Sequence, residues 1–259
     1  MKAFQFNTTP GIRFGSDYSV STAEEVSKKL GNKILFVTDP GLVKIGLHEK
    51  TITELQKYSE ILIFDNVEAD PSIKTLMNCV QQGRDFDATG VIGFGGGSSM
   101  DVSKLTALLI GSNENIHEAW GVANAKGPRL PLALYPTTSG TGSEVTPISI
   151  ITQEDLEKKG VSSPIILPDL AILDPSLTLG LPPHITAATG IDAMVHAIES
   201  YASKSVNNNL ISQTLAKEAL KLLGSSIRQA VINGKDIEAR SNMLVGSMLA
   251  GVSFGNSPV

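Results

Sequence analysis

The 259-residue sequence predicts an α/β fold with a parallel sheet, followed by an all-helical C-terminal part, and three observations carry this. Short continuous apolar runs of strand length recur up to about Pro175, which is how parallel strands covered on both faces read. Helix-length segments alternate with those runs, as right-handed βαβ units require. After Leu181-Pro-Pro183 the strand signals stop and helical periodicity takes over. We therefore expect two domains, 1–180 and 181–259, with the proline-spaced stretch from Gly160 to Pro175 as their connection.

Each element has its own signal. Phe4 to Phe6 and Ile12 to Phe14, split by Asn7-Thr-Thr-Pro-Gly11, read as a short strand pair with a turn between them. A helix is predicted from Ser21, with Ala23, Val26 and Leu30 on one face and Glu24 and Glu25 in the first turn, where the helix dipole favours acids; Gly31 stops it. Lys33 to Thr38 is a buried strand ending at Asp39-Pro-Gly41. Leu42 to Tyr58 reads as a helix, Glu60 to Phe64 as a strand and Ser72 to Arg84 as a helix. Ala88 to Phe94 is a third buried strand that runs into glycines, and a helix from Ser99 to Leu109 follows. Leu130 to Tyr135 is a further strand. Ile165 to Leu167 and Leu170 to Leu173 also fit short strands. The C-terminal part then divides into helices over Ile185–Ser203, Asn209–Asn233 and Asp236–Phe254.

Composition narrows the function. Lys plus Arg number 21 against 26 Asp plus Glu, a net charge of −5, and aromatics make up 5% of the chain, so the basic patches and stacking platforms of a nucleic-acid binder are missing. No apolar run approaches the ~18 residues of a membrane helix, and the first eleven residues lack the apolar core of a signal peptide. Cys79 is the single cysteine and has no partner for an internal disulfide. A cytoplasmic protein with no nucleic-acid or membrane partner is expected.

Three stretches can carry chemistry. Gly93-Phe-Gly-Gly-Gly-Ser-Ser-Met-Asp-Val-Ser-Lys104 lies between a buried strand and a helix, where glycines let backbone N–H groups approach an anion and the helix dipole favours a phosphate. A dinucleotide pyrophosphate is the natural guest, although a tight glycine turn that binds nothing has the same letters. Asp39, at the end of the Ile34 to Val37 strand, can accept hydrogen bonds from both ribose hydroxyls of an adenosine and would repel a 2′-phosphate, which favours NAD over NADP; an ordinary Asp-Pro-Gly turn is the alternative. Pro136-Thr-Thr-Ser-Gly-Thr-Gly-Ser-Glu-Val-Thr146 crowds hydroxyls and glycines behind an apolar strand, suiting phosphates or a nicotinamide amide. Asp192 and His196 stand at i and i+4 on one helix face. That is metal-ligand spacing, and equally the spacing of a surface salt bridge. His48, His117 and His184 lack such companions.

Taken together, Gly95-Gly-Gly-Ser98 with Asp101 and Lys104, Pro136-Thr-Thr-Ser-Gly-Thr-Gly-Ser-Glu144, Leu173-Asp-Pro-Ser-Leu-Thr-Leu-Gly-Leu-Pro-Pro183, and Thr189-Gly-Ile-Asp-Ala-Met-Val-His-Ala-Ile-Glu-Ser-Tyr201 resemble the iron-containing, or group III, alcohol dehydrogenases along the whole chain. The related glycerol dehydrogenase branch fits the run from Thr189 to His196 less well. The resemblance implies a Rossmann-like cofactor domain and a dehydroquinate synthase-like helical domain. It implies Asp39 at the adenosine ribose, Asn66 near the adenine, Gly95, Gly96, Gly97, Ser98 and Asp101 in the pyrophosphate loop and its helix, Thr137, Thr138 and Thr141 around the phosphates and nicotinamide, and Lys158 approaching the nicotinamide. Asp192 and His196 would be ligands of Fe²⁺, with Zn²⁺ as the alternative ion. The implied reaction is reversible hydride transfer between NAD and a small alcohol or carbonyl compound, with the metal polarising the substrate oxygen. Family analogy alone points to a homodimer.

The same resemblance implies that members of the family continue past Val259 and carry two more metal-ligand histidines there, whereas no histidine follows His196 in this sequence. The expectation is a C-terminally truncated chain with an incomplete helical domain, weak metal binding, and the apolar face of Met243, Leu244 and Met248 left exposed. Catalysis by this chain alone is then doubtful, and a non-catalytic nucleotide-binding remnant is the alternative function.

Overall fold

A computed structural model describes residues 3–258, so Met1, Lys2 and Val259, the outermost residues of the two expected domains, lie outside it. Its centre is a six-stranded, wholly parallel sheet in the order β1-β9-β6-β4-β2-β3, formed by β1 (Gly11–Phe14), β2 (Lys33–Val37), β3 (Glu60–Phe64), β4 (Gly90–Gly95), β6 (Leu132–Pro136) and β9 (Leu170–Leu173). The alternation of side chains within each apolar run divides the core into two layers. Ile34, Phe36, Ile92, Phe94, Ala133 and Tyr135 pack beneath α2 (Ala23–Leu30) and α4 (Glu49–Leu55). Leu35, Val37, Val91, Leu132 and Leu134 face α5 (Ile73–Asp85) and α6 (Gly97–Ser112). Across the middle strands the rings of Phe36, Phe94 and Tyr135 follow one another at centroid distances of 5.3 and 6.0 Å, each pair adding about 0.5–1.5 kcal/mol beyond the area it buries.

The N-terminal strand pair is not formed. Ile12 and its neighbours make β1, which pairs in parallel with β9, while the segment around Phe4 to Phe6 has no strand partner. Its backbone is taken up by the helical layer instead: Asn7 N–H donates to Asn256 Oδ1 at 2.7 Å, and Asn256 Nδ2 donates back to Asn7 O at 2.7 Å. The helix expected from Ser21 is preceded by a separate turn, α1 (Tyr18–Ser21). The helix expected over Leu42 to Tyr58 is split into α3 (Pro40–Lys44) and α4, with Gly46 at a φ of 68° between them. Ile165 lies in a 3-10 turn, whereas Leu170 to Leu173 is the strand β9.

A second, three-stranded sheet escapes sequence reasoning. After α7 (Ile116–Ala119), the short β5 (Gly121–Val122) pairs with β8 (Lys158–Ser162), which forms an antiparallel hairpin with β7 (Ile148–Thr152). The second strand of that hairpin opens with Lys158-Lys-Gly160, which carries no apolar alternation.

The helical layer consists of α8 (Pro183–Ala202), α9 (Leu210–Ile232) and α10 (Ile237–Asn256). Asn209 and Asp236 cap the last two by accepting from the backbone N–H groups of Ser212 and Ala239, both at 3.0 Å. Contrary to expectation, Met243 and Leu244 are fully buried, Met243 between α8, α9 and α10, and Met248 is partly buried against Val145, Ala171 and Val252. The exposed apolar face belongs to α8, where Ile191, Val195 and Ile198 stand one turn apart in open solvent.

Helix α10 and the loop after β6 touch backbone to backbone. A Cβ placed on Gly251 would meet the Cα and carbonyl oxygen of Gly142 at 2.8 Å, and Gly142 itself holds a φ of 59°. Gly251→Ala should therefore lower stability by about 1–3 kcal/mol through overpacking. Gly224→Ala, on α9 with nothing within 4 Å, should be neutral or stabilising by up to about 1 kcal/mol. Urea unfolding midpoints of the two variants check the contrast; equal effects would remove the contact from the account.

Candidate cofactor and metal site

The order of the sheet decides where a ligand can lie. From β2 the chain moves outward to β3, then returns to the opposite side of β2 for β4 and continues toward β6. The carboxyl ends of β2 and β4 therefore flank a topological switch point, where open α/β sheets bind ligands. Asp39 follows β2, and the glycine turn follows β4.

Gly95 has a φ of 151°, and a Cβ there would meet Ser99 Oγ at 2.7 Å and Asp39 Oδ2 at 3.4 Å. A side chain at this position would thus be strained and would fill the space between the turn and Asp39. Gly96 opens α6 without any side-chain cap, so the first N–H groups of a 16-residue helix, those of Gly97, Ser98 and Ser99, stay free for an anion. Asp39 caps α3, its Oδ1 accepting from Leu42 N–H at 3.0 Å. Its other oxygen faces the glycine turn.

The hydroxyl loop after β6 lies opposite. Thr137 N–H donates to Gly95 O at 3.0 Å, continuing the sheet by one residue into the two turns. A Cβ built on Gly97 would meet Thr141 at 2.8 Å, so the two loops approach closely there only because Gly97 lacks a side chain, while one on Gly96 would stand at an ordinary 3.7 Å from Thr138. Asp39, Gly95, Gly96, Gly97, Ser98, Thr137, Thr138 and Thr141 are thereby brought together around one crevice.

Three expected residues are placed otherwise. Asp101 is engaged within the protein: Oδ1 accepts from Ser143 Oγ at 2.7 Å and Oδ2 from Ile150 N–H at 2.9 Å, so it braces the loop against α6 rather than facing the glycine turn. Lys158 lies on β8, exposed and paired with Asp70 at 2.6 Å. Asn66 is exposed on the loop after β3.

Beneath the hydroxyl loop sits a polar cluster of Lys104 and Glu144, which the sequence reading quoted within its motifs but gave no role. Lys104 is fully buried and Glu144 is 1% exposed. Burial pushes the Glu144 carboxyl up to about 7 against the pull of the Lys104 charge, and pushes the Lys104 ammonium down to about 8 against Asp101 and Glu144. The signal for a role was the identity of the residues themselves: a lysine two turns into a helix whose face there is buried, and a glutamate in a loop of small residues.

The same loop meets the helical layer. Gly140 packs on Thr189 of α8, where a Cβ would meet the threonine Cβ at 2.9 Å. Thr189, Asp192 and His196 lie at i, i+3 and i+7, so one stripe of α8 runs from the loop to the Asp/His pair. His196 Nε2 is 3.7 Å from Asp192 Oδ1, and its ring lies 5.1 Å from that of Phe254. His196 Nδ1 is buried with no hydrogen-bond partner. A carboxylate and an imidazole suit a divalent ion, but two donors are fewer than the four such a site usually takes. Among the described residues no group of three or more His, Cys, Asp or Glu side chains is arranged to hold a metal. The pair fits part of a metal site. No helix among the described residues is long and apolar enough to cross a membrane.

Comparison with known proteins shows the family. The family model for iron-containing alcohol dehydrogenase matches residues 9–175, and that for the C-terminal part of the same family matches residues 186–259. The chain is 40% identical over 98% of its length to a sulfoacetaldehyde reductase of Bilophila wadsworthia, and 44% identical over 90% to long-chain-alcohol dehydrogenase 1 of Geobacillus thermodenitrificans. It spans 66% and 59% of those two relatives. The structure of a sulfoacetaldehyde reductase from Bifidobacterium kashiwanohense in complex with NAD⁺ superposes with a TM-score of 0.90 at 30% identity, over 99% of this chain and 68% of that one.

The buried carboxyl generates a prediction with a definite sign. In the native state Glu144 keeps its proton to about pH 7, whereas the unfolded chain releases it near 4.5, so the native state binds more protons between those values. Stability contributed by this group is present below about pH 4.5 and is lost as the pH rises through about 7. Relative to Glu144→Gln, the wild type should therefore lose stability between pH 5 and pH 7.5 in chemical denaturation. A difference that grows in the opposite direction would show that Glu144 is ionised in the fold.

Proposed function

The chain belongs to the iron-containing alcohol dehydrogenase family, and from that premise we propose that it binds NAD in the crevice between the glycine turn and the hydroxyl loop and serves reversible hydride transfer between NAD and a small alcohol or carbonyl compound. The observation that carries this reading is the meeting of both loops with Asp39 at the switch point, on the same loop that begins the Thr189–Asp192–His196 stripe. When bound, the nicotinamide supplies the hydride carrier and a divalent ion supplies a Lewis acid for the substrate oxygen.

The chain's own residues do the positioning. Backbone N–H groups of Gly96, Gly97 and Ser98, at the uncapped start of α6, hold the pyrophosphate. Asp39 accepts from the ribose hydroxyls with the oxygen not spent on the α3 cap, and its charge disfavours the 2′-phosphate of NADP. Thr137, Thr138 and Thr141 close over the phosphates and nicotinamide, Asn66 borders the adenine, and Lys158 approaches the nicotinamide on leaving Asp70. Asp192 and His196 are the part of the Fe²⁺ or Zn²⁺ site that this chain supplies.

The donor count favours a second reading for this chain by itself, namely nucleotide binding without turnover, since two donors share a metal with water and hold it weakly. Calorimetry with NADH, with and without added Fe²⁺ or Zn²⁺, together with elemental analysis and an alcohol-oxidation assay, separates the two. NADH binding without stoichiometric metal or turnover supports the second reading; metal-dependent oxidation supports the first. No NADH binding under either condition refutes both. Asp39→Gly should narrow or reverse a preference for NADH over NADPH, measured as the ratio of their Kd values. An unchanged ratio would take Asp39 out of the ribose site.

A further inference from the structure

We propose that Lys104 is the positioning residue of the cofactor crevice: from beneath the hydroxyl loop its ammonium holds residues 143–148 against α6, and so sets the distance between the glycine turn and the threonines opposite. This rests on the proposed NAD-binding reading and adds to it a residue that touches no cofactor.

The geometry is that of a fully satisfied cation. An ammonium has three N–H donors. Lys104 Nζ donates to Ser143 Oγ at 2.8 Å, to Thr146 Oγ1 at 3.2 Å and to Ile148 O at 2.7 Å. The side chain is fully buried, so no water competes for those bonds. Ser143 Oγ in turn donates to Asp101 Oδ1, which fixes the rotor of that hydroxyl: it accepts from the lysine and gives its proton to the aspartate. Asp101 Oδ2 then takes the N–H of Ile150, two residues beyond the last lysine contact. Two side chains one turn apart on α6 thus secure the end of the hydroxyl loop and the start of β7.

The helix that carries Lys104 is the helix whose uncapped N-terminus faces the crevice. The loop it secures carries Thr141, which stands over Gly97. One rigid connection therefore fixes both walls. If it is lost, the loop gains freedom at Ser143, two residues from Thr141, while its Gly140 and Gly142 contacts to α8 and α10 keep it folded. The effect is expected in the spacing of the crevice before it is expected in the fold.

The titratable groups facing the ammonium are Asp101, from its own helix, and Glu144, from the hydroxyl loop; β7 presents none. Burial lowers the lysine to about 8. Above that pH the neutral amine keeps only two N–H donors, and one of its three acceptors is left unpaired in a dry site.

The test is NADH titration of the folded chain, by calorimetry, for the wild type and Lys104→Met, at pH 7 and at pH 9. Loss of charge-assisted hydrogen bonds should weaken NADH binding by about 10- to 100-fold at pH 7 in the variant. Wild-type affinity should fall between pH 7 and pH 9 more steeply than that of the variant, in which Glu144 is the remaining titrating group of the cluster, a difference that a lysine with a merely structural role would not produce. If Lys104→Met does not fold, Ser143→Ala keeps the lysine and removes one acceptor, and should weaken NADH by about fivefold. Wild type that binds NADH while the folded variant binds it equally well overturns the role of Lys104 and leaves the cofactor reading standing. Wild type that does not bind NADH removes the cofactor reading and this proposal with it.

Discussion

The close backbone contact between Gly142 and Gly251 is the constraint on which the rest of the site depends. Helix α10 can lie against the hydroxyl loop only because neither residue has a Cβ. That contact seats the loop on the helical layer, and the loop in turn meets α8 through Gly140 and Thr189 and faces the glycine turn through Thr138 and Thr141. A loop of small residues has little apolar surface of its own to bury. Its position comes from these close approaches, and from the buried cation and carboxylate of α6 beneath it.

The parallel sheet supplies the other half of the geometry. With its middle strands buried on both faces, their carboxyl ends are held in register, and Asp39 and the glycine turn inherit that precision. A crevice built this way costs little to keep open, because the groups lining it are backbone amides, hydroxyls and one capping carboxylate, all of which tolerate water when no ligand is present. Lys104 and Glu144 are placed behind the loop and not in the crevice.

The helical layer is better packed than its sequence suggested. Alanines at 193, 197, 216, 219 and 230 let α8, α9 and α10 approach closely enough to bury Met243 among themselves. What remains open is the outer face of α8 with Ile191, Val195 and Ile198, on the helix that also carries Asp192 and His196. Asp192 and His196 thus lie on a helix whose other side packs against α9 and α10.

The sequence by itself determined the parallel sheet, the switch from α/β to helix after Pro183, the glycine turn and the i, i+4 spacing of Asp192 and His196. Each rests on a local pattern: continuous apolar runs, proline and cap residues, or helical periodicity. Only the tertiary structure decided the edge pairing of β1 with β9, the β7–β8 hairpin, the engagement of Asp101 by Ser143 and Ile150, and the burial of Lys104 under the loop. Apart from the β7–β8 hairpin, whose paired residues lie 6 to 14 positions apart, those depend on partners from 39 to 159 residues away in sequence. Local propensity does not register such partners. A polar strand such as Lys158-Lys-Gly160 or a lone lysine in an apolar helix acquires its meaning from whatever the fold places opposite it.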